Sequence, residues 1–192
     1  MNTPDLSAPE AQLDATESTA PMGHPVGRLA GFIDGADPGT RAALARLDPE
    51  AMRPHQIAAL SRALIDAGLS PDTWHPAIWK RWALVAHGMA LAGHNHKERF
   101  GQQLATIQGG QPVVAEARVT KLLVSRGDAF LQIVPRILRL LVSKQVQPNW
   151  YDLSNLILNN DAEHPKKREE VETLRLRIAG DYFSAAVRAN KA

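Results

Sequence analysis

The chain has 192 residues, 44% of them hydrophobic and 22% charged, with 22 Lys and Arg against 20 Asp and Glu, which is ordinary globular composition with enough apolar surface for a core. It contains no cysteine, which excludes a disulfide framework, a thiolate zinc site, an iron–sulfur cluster and a cysteine nucleophile, and fits a reducing cytoplasm. The longest strongly apolar stretch free of charge and proline, Trp82 to Gly93, has twelve residues against the ~20 that a bilayer span needs. The N-terminus also lacks the basic start and apolar run of a signal peptide, so the chain reads as soluble and cytoplasmic.

Residues 1–22 are rich in Ala, Pro, Thr, Ser and acids without an apolar period, the composition of a disordered acidic tail that cannot offset its ordering entropy. From Gly23 onward the pattern is helical almost throughout. Asp37-Pro38, Asp48-Pro49 and Ser70-Pro71 each place a capping side chain before a proline suited to the first helical position, and short helices are predicted near 38–47 and 54–67. The segment Pro76 to Ala92 carries Ile78, Trp82, Val85 and Met89 at helical spacing, with His87 as its one strongly polar side chain beyond Arg81, so it is predicted to be a buried helix. A break at Gly93 to Lys97 precedes a short helix near 98–106 and a turn at Gly109-Gly110-Gln111-Pro112.

A helix over about 113–126 then places Ala115, Val119, Leu122 and Leu123 on one apolar stripe. Between Asp128 and Lys144, a step of about 100° per residue gathers Phe130, Ile133, Val134, Ile137, Leu138, Leu140 and Leu141 into one arc. Gln132, Arg136, Arg139 and Ser143 lie opposite, and Pro135 predicts a kink or a restart. Asn149 can cap a helix that turns Trp150, Leu153, Leu156 and Ile157 inward. A last helix, about Lys166 to Arg188, repeats Val171, Leu174, Ile178, Tyr182 and Ala185 on one stripe. No period-2 run and no hairpin turn stand out. The predicted fold is all-α: two small helical bundles packed together, residues 23–96 and 97–192, behind the tail of 1–22.

Charge is unevenly placed. Residues 1–37 hold six acids (Asp5, Glu10, Asp14, Glu17, Asp34, Asp37) and one base, Arg28, whereas residues 97–144 hold eight bases against Glu98, Glu116 and Asp128. A basic middle suits either a polyanion partner or a solvated helical face. On the first of these helices Arg118, Lys121 and Ser125 fall on one polar stripe, and the next carries Arg136, Arg139 and Ser143 on its outer face. Together the two faces predict a basic strip able to displace counterions from a phosphate backbone without reading sequence. Phe130 lies on the apolar side, so electrostatic tracking is favoured over base stacking.

Enzyme signatures are missing: no P-loop, dinucleotide fingerprint, nucleophile elbow or metalloprotease motif occurs. His87, His94 and His96 are the one cluster that invites a metal, but residues two apart diverge on a helix and no carboxylate at ligand spacing completes a site beyond Glu98. No catalytic residue, metal or cofactor is therefore expected. His24, His55, His75 and His164 sit near Pro or Gly in turns, as ordinary surface residues.

Five blocks in fixed order carry a resemblance: Gly39-Thr40-Arg41-Ala42-Ala43-Leu44; Phe100-Gly101-Gln102-Gln103-Leu104-Ala105; Glu116-Ala117-Arg118 with Leu122-Leu123; Asn149-Trp150 with Leu153; and Asp181-Tyr182-Phe183. From about residue 27 to 190 the chain resembles the CasB family, the small subunits of the type I-E CRISPR Cascade complex. It departs from the family pattern where a single Arg46 follows Ala45, where Asn149 rather than Asp precedes the Trp, and where Arg177-Ile178 stand in place of a Trp. The resemblance implies an all-helical, non-enzymatic subunit present in two copies beside the backbone and large subunits of a crRNA-guided complex, helping to hold the displaced or target DNA strand of the R-loop. Base pairing supplies the sequence specificity in such a complex.

By the same resemblance Arg46, Arg118, Lys121, Arg126, Arg136 and Arg139 are the first residues expected at single-stranded DNA, followed by Lys144, Lys166, Lys167, Arg168 and Arg175. Two other readings compete: a structural adaptor whose basic faces dock on acidic proteins, and a metal-dependent enzyme built on His87, His94 and His96.

Overall fold

The computed structural model describes residues 23–189, so the predicted acidic tail of 1–22 lies outside the described residues. Nine α-helices follow one another: α1 (Pro25–Gly35), α2 (Pro38–Ala45), α3 (Pro54–Asp66), α4 (Pro76–Ala92), α5 (Phe100–Leu104), α6 (Glu116–Val124), α7 (Gly127–Ser143), α8 (Trp150–Asn159) and α9 (Pro165–Ala189), with a 3-10 turn at Pro71–Thr73. Among the described residues the fold is all-α apart from a two-stranded ladder.

That ladder is a departure from expectation. Ile107–Gln108 (β1) and Gln111–Pro112 (β2) pair antiparallel around Gly109 and Gly110, whose φ values of 61° and 77° are those a tight hairpin demands and glycine alone supplies freely. Val113 and Val114 follow it through a bend, donating to the carbonyls of Thr106 and Leu104. Both valines are buried, so α6 starts at Glu116 rather than near 113, and the short helix before the hairpin closes at Leu104.

Helix starts follow the proline-led signals in part. Asp37 caps α2 by accepting from the Thr40 amide at 3.0 Å. Asp48, however, accepts from the Glu50 amide in a turn that goes no further, and α3 begins instead at Pro54, where the Gln56 side chain reaches back to the Arg53 amide at 2.9 Å. Ser70-Pro71 opens only the 3-10 turn. His24 and His75, expected to be plain surface residues, accept from the Val26 and Ala77 amides and so cap α1 and α4 ahead of Pro25 and Pro76.

Helix α4 is the shared beam of the molecule: it packs against α1 and α2 on one hand and α7 and α8 on the other. Trp82 to Ala86, Gly88 and Met89 are all buried, as an apolar helix requires, although Ile78 at its first turn stays exposed. One continuous core runs from Val26 and Leu29 of α1 through Leu60 and Leu64 of α3 and Phe130 of α7 to Ile178 and Tyr182 of α9. Helix α7 runs from 127 to 143 without a restart, carrying Pro135 within it. Its inward arc is as predicted, with Leu140 alone only half-buried.

The family-like blocks are mostly structural. Gln103 is buried, donates to the Asn95 carbonyl at 2.9 Å and accepts from the Asn149 amide at 2.6 Å. Asn149 in turn caps α8 through the Tyr151 amide and donates to the Glu98 carbonyl. Asp152 accepts from the Phe100 amide and from Arg177, which fastens α5 to α8 and α9. Gly101 lies against the Ile178 carbonyl and the Asp181 Cβ, where a side chain would enter the α9 backbone. Tyr182 donates its hydroxyl to the Val114 carbonyl at 2.8 Å, and burial pushes that phenol above its usual range.

Candidate nucleic-acid interface

Helices α6 and α7 pack side by side, and their outer faces meet in a groove of about 460 Å³ lined by Arg118 and Lys121 of α6 and by Ile133, Arg136, Ile137 and Leu140 of α7. The periodicity explains the placement. Val119 and Leu122 point α6 into the core, which leaves Arg118 and Lys121, three residues apart, on the opposite side. On α7 the residues that bury Val134, Leu138 and Leu141 turn Arg136 outward. All three cations are exposed, and among the described residues none of their side chains makes a hydrogen bond or ion pair. The result is a trough with cationic walls and an apolar floor.

Arg139 and Lys144 do not line the groove: Arg139 lies one turn past Arg136 on α7, and Lys144 is the residue that follows the helix. Arg139 donates Nε back to the Pro135 carbonyl at 3.3 Å and remains exposed. Lys144 closes α7, and its carbonyl accepts from the Gln108 side chain at 2.9 Å, which ties the hairpin to the end of the basic face. Ser125 does not join the Arg118–Lys121 stripe: α6 ends at Val124, and the Ser125 hydroxyl donates to the Lys121 carbonyl.

The remaining expected contact residues are elsewhere. Arg46 caps the C-terminus of α2, exposed and away from the groove. Lys166, Lys167 and Arg168 crowd the first turn of α9, where the helix dipole opposes them. Lys167 pairs with Glu170, whose carboxyl that contact holds below its usual range, and Arg168 donates to the carbonyls of Ala162 and Glu163. Lys166 stands exposed.

Two cations are used inside the fold. Arg126 binds both oxygens of Glu172 at 3.1 and 2.6 Å and donates to the carbonyls of Leu123 and Ser125, locking the α6–α7 joint onto α9. Arg175 is 3% exposed, donates to Leu122, Leu123 and Asn160, and lies 5.1 Å over the Phe130 ring. A strut so buried is not an exposed contact residue in this structure. Its place follows from arithmetic on α9, since 175 is four residues past Val171 and three before Ile178, both on the inward stripe.

The histidines do not assemble. His94 stacks on His96 at 5.6 Å and accepts the Trp150 amide on Nδ1, while His87 lies 3.3 Å from the Leu44 carbonyl. Among the described residues no group of three His, Asp or Glu side chains is placed to hold a metal ion. Burial pushes the His87 and His94 imidazoles below the usual 6.5, and His96 adds to the effect at His94. A depressed histidine pKa means that the unfolded chain takes up protons the fold refuses. Stability is full above about pH 6.5 and falls as pH drops through the folded values. The melting temperature is expected to fall between pH 7.5 and 5.5, and His94→Gln to flatten that slope; thermal denaturation by circular dichroism reads both.

Comparison with curated proteins and with solved structures gave no match. Among the described residues no helix is long and apolar enough to cross a membrane. The family model for CRISPR-associated protein Cse2 matches residues 40–183, a span that holds both helices of the groove and four of the five blocks in full, the fifth from its second residue. Three quarters of the chain is covered, and the chain belongs to the Cse2 family, the CasB small subunits of the type I-E CRISPR Cascade complex.

Proposed function

We propose that this small subunit steadies the displaced or target DNA strand during crRNA-guided recognition, with the α6–α7 groove as its main contact. One observation supports the reading above the others. Arg118, Lys121 and Arg136 converge from two helices on one groove and, among the described residues, pair with no acid; like charges gathered in one groove repel one another and favour a polyanion. Arg139, Lys144, Lys166 and Arg46 are exposed outside the groove and serve as secondary contacts. Nothing in the groove selects a base: its donors are flexible cations, and its floor is aliphatic. Specificity then rests with the guide RNA, and the protein supplies charge and position without catalysis. The partners proposed are the backbone and large Cascade subunits, a second copy of the chain, and the single-stranded DNA of the R-loop.

Fluorescence anisotropy of a labelled oligothymidylate across a salt series tests the reading on the full chain. Three strand phosphates neutralised in the groove predict a log–log slope of about −2, at roughly 0.7 per phosphate on single strands. Binding that is absent even at low salt, together with retained assembly into the complex, would favour the adaptor reading, in which the apolar floor and basic walls receive an acidic protein segment.

A further inference from the structure

The ion-pair cluster between α9 and the α6–α7 joint is built around an anion position. Arg126 grips both oxygens of Glu172. Behind it, Arg175 spends its terminal nitrogens on Leu122, Leu123 and Asn160, yet its Nε is buried without a hydrogen-bond partner and faces Glu172 Oε1 at 3.7 Å. A buried guanidinium N–H left unmet is uncommon, because it forfeits the hydrogen bonds it had in water. Burial and the neighbouring charge of Arg126 pull the Arg175 guanidinium down to about 10, and Glu172 offsets only part of that. The carboxylate therefore hydrogen-bonds Arg126 but reaches Arg175, which lies behind it and off the cavity wall, only as a longer ion pair. Glu172 is also 45% exposed on its helix, at the wall of an open cavity of about 340 Å³ lined in addition by Asn159, Asn160 and Arg168. A tetrahedral oxyanion is larger than a carboxylate and has a third oxygen to offer.

We propose that Arg126 and Arg175 form a phosphate-type oxyanion site, with Arg168 at its rim, and that Glu172 occupies it as a resident stand-in that swings toward solvent when a phosphate enters. Two further acids, Asp161 and Glu163, line the cavity; Asp161 is held by Arg81, so Glu163 is the remaining charge that opposes entry. The site shares no residue with the α6–α7 groove, and its occupancy by inorganic phosphate can be read whatever the groove binds. The oxyanion can come from free phosphate or from a nucleic-acid backbone, and the two arms of one experiment separate them.

The first arm is thermal denaturation of the full chain in potassium phosphate against potassium chloride at matched ionic strength, for wild type, Glu172→Ala and Glu172→Gln. The general stabilising action of phosphate raises every variant. The proposal requires an additional, saturable rise in wild type, a larger one at lower phosphate in both Glu172 variants, and loss of both when Arg126→Gln is added; a rise confined to the Glu172 variants overturns it. The Gln variant keeps an acceptor for Arg126 and guards against simple misfolding of the Ala variant. The second arm is anisotropy of labelled oligothymidylate: Glu172→Gln should tighten binding by up to about fivefold, the scale of one exposed ion pair, and Arg126→Gln should cancel the gain. A phosphate effect without a DNA effect assigns the site to free phosphate. Equal phosphate responses in wild type and both Glu172 variants, with unchanged DNA affinity, overturn the site altogether and leave Glu172 as a plain structural bridge.

Discussion

Combined reversal of Arg118, Lys121 and Arg136 to Glu is expected to abolish single-stranded DNA binding at moderate salt, a loss of about 100-fold or more, while leaving the fold intact. The size follows from the charge change. Three cations that each displace a counterion become three anions that repel the backbone, and the salt slope should shrink by about 2 in the same titration. The fold should survive because all three side chains are exposed and, among the described residues, unbonded, so removing them breaks no internal contact. Three clustered anions repel one another as the three cations did, so the melting temperature should stay close to that of wild type. A parallel reversal of Arg126 is the useful contrast. It strips Glu172 of its bidentate partner and unlocks the α6–α7 joint, so it should lower stability as well as binding. A triple variant that stays folded and binds like wild type would remove the groove from the mechanism.

Much of this groove was legible in the sequence because helical periodicity reports direction. Once Phe130, Val134, Ile137, Leu138 and Leu141 claim the inward arc of α7, Arg136 and Arg139 have nowhere to point but out, and the same reasoning turns Arg118 and Lys121 outward on α6. What periodicity cannot report is which cation has a partner. Arg126 and Arg136 look alike as residues in a basic stretch, but the first meets Glu172, 46 residues away, and the second meets no acid among the described residues. Arg175 differs for another reason: its position between Val171 and Ile178 on the buried stripe turns it inward, which its charge does not announce. The hairpin escaped because two residues per strand are too few for alternation to register, although Gly109-Gly110 carried its turn chemistry openly. The histidine caps escaped because Ser, Thr, Asp and Asn dominate that position, and an imidazole nitrogen can accept the same amide bond.

Trp150→Ala is expected to be the most destabilising single substitution in the groove's support, at about 3–5 kcal/mol against a total of roughly 5–15 for a domain of this kind. The indole is fully buried, donates Nε1–H to the Gly93 carbonyl at 2.7 Å, and lies across Gly88 of α4 beside Leu138 of α7. It therefore fills the space where α4, α7 and α8 meet. Gly88 exists for that ring: a Cβ there would stand 2.8 Å from Trp150 Cζ2 and 2.9 Å from Leu138 Cδ1, closer than packed atoms tolerate. Gly88→Ala should then cost about 1–3 kcal/mol by overpacking, despite the ~1 kcal/mol that alanine gains in a helix. Gly180→Ala, on the open face of α9 with nothing near its Cβ, should instead stabilise by about 0.5–1 kcal/mol. The cycle closes with the double variant, since Trp150→Ala removes the ring that Gly88→Ala strikes, so the two penalties should fall well short of additive in urea denaturation. Leu138 lies two residues beyond Arg136 on α7, so loss of Trp150 lets the helix that carries the groove wall shift. DNA binding in Trp150→Ala is expected to weaken even where the chain remains folded, with every groove cation still present.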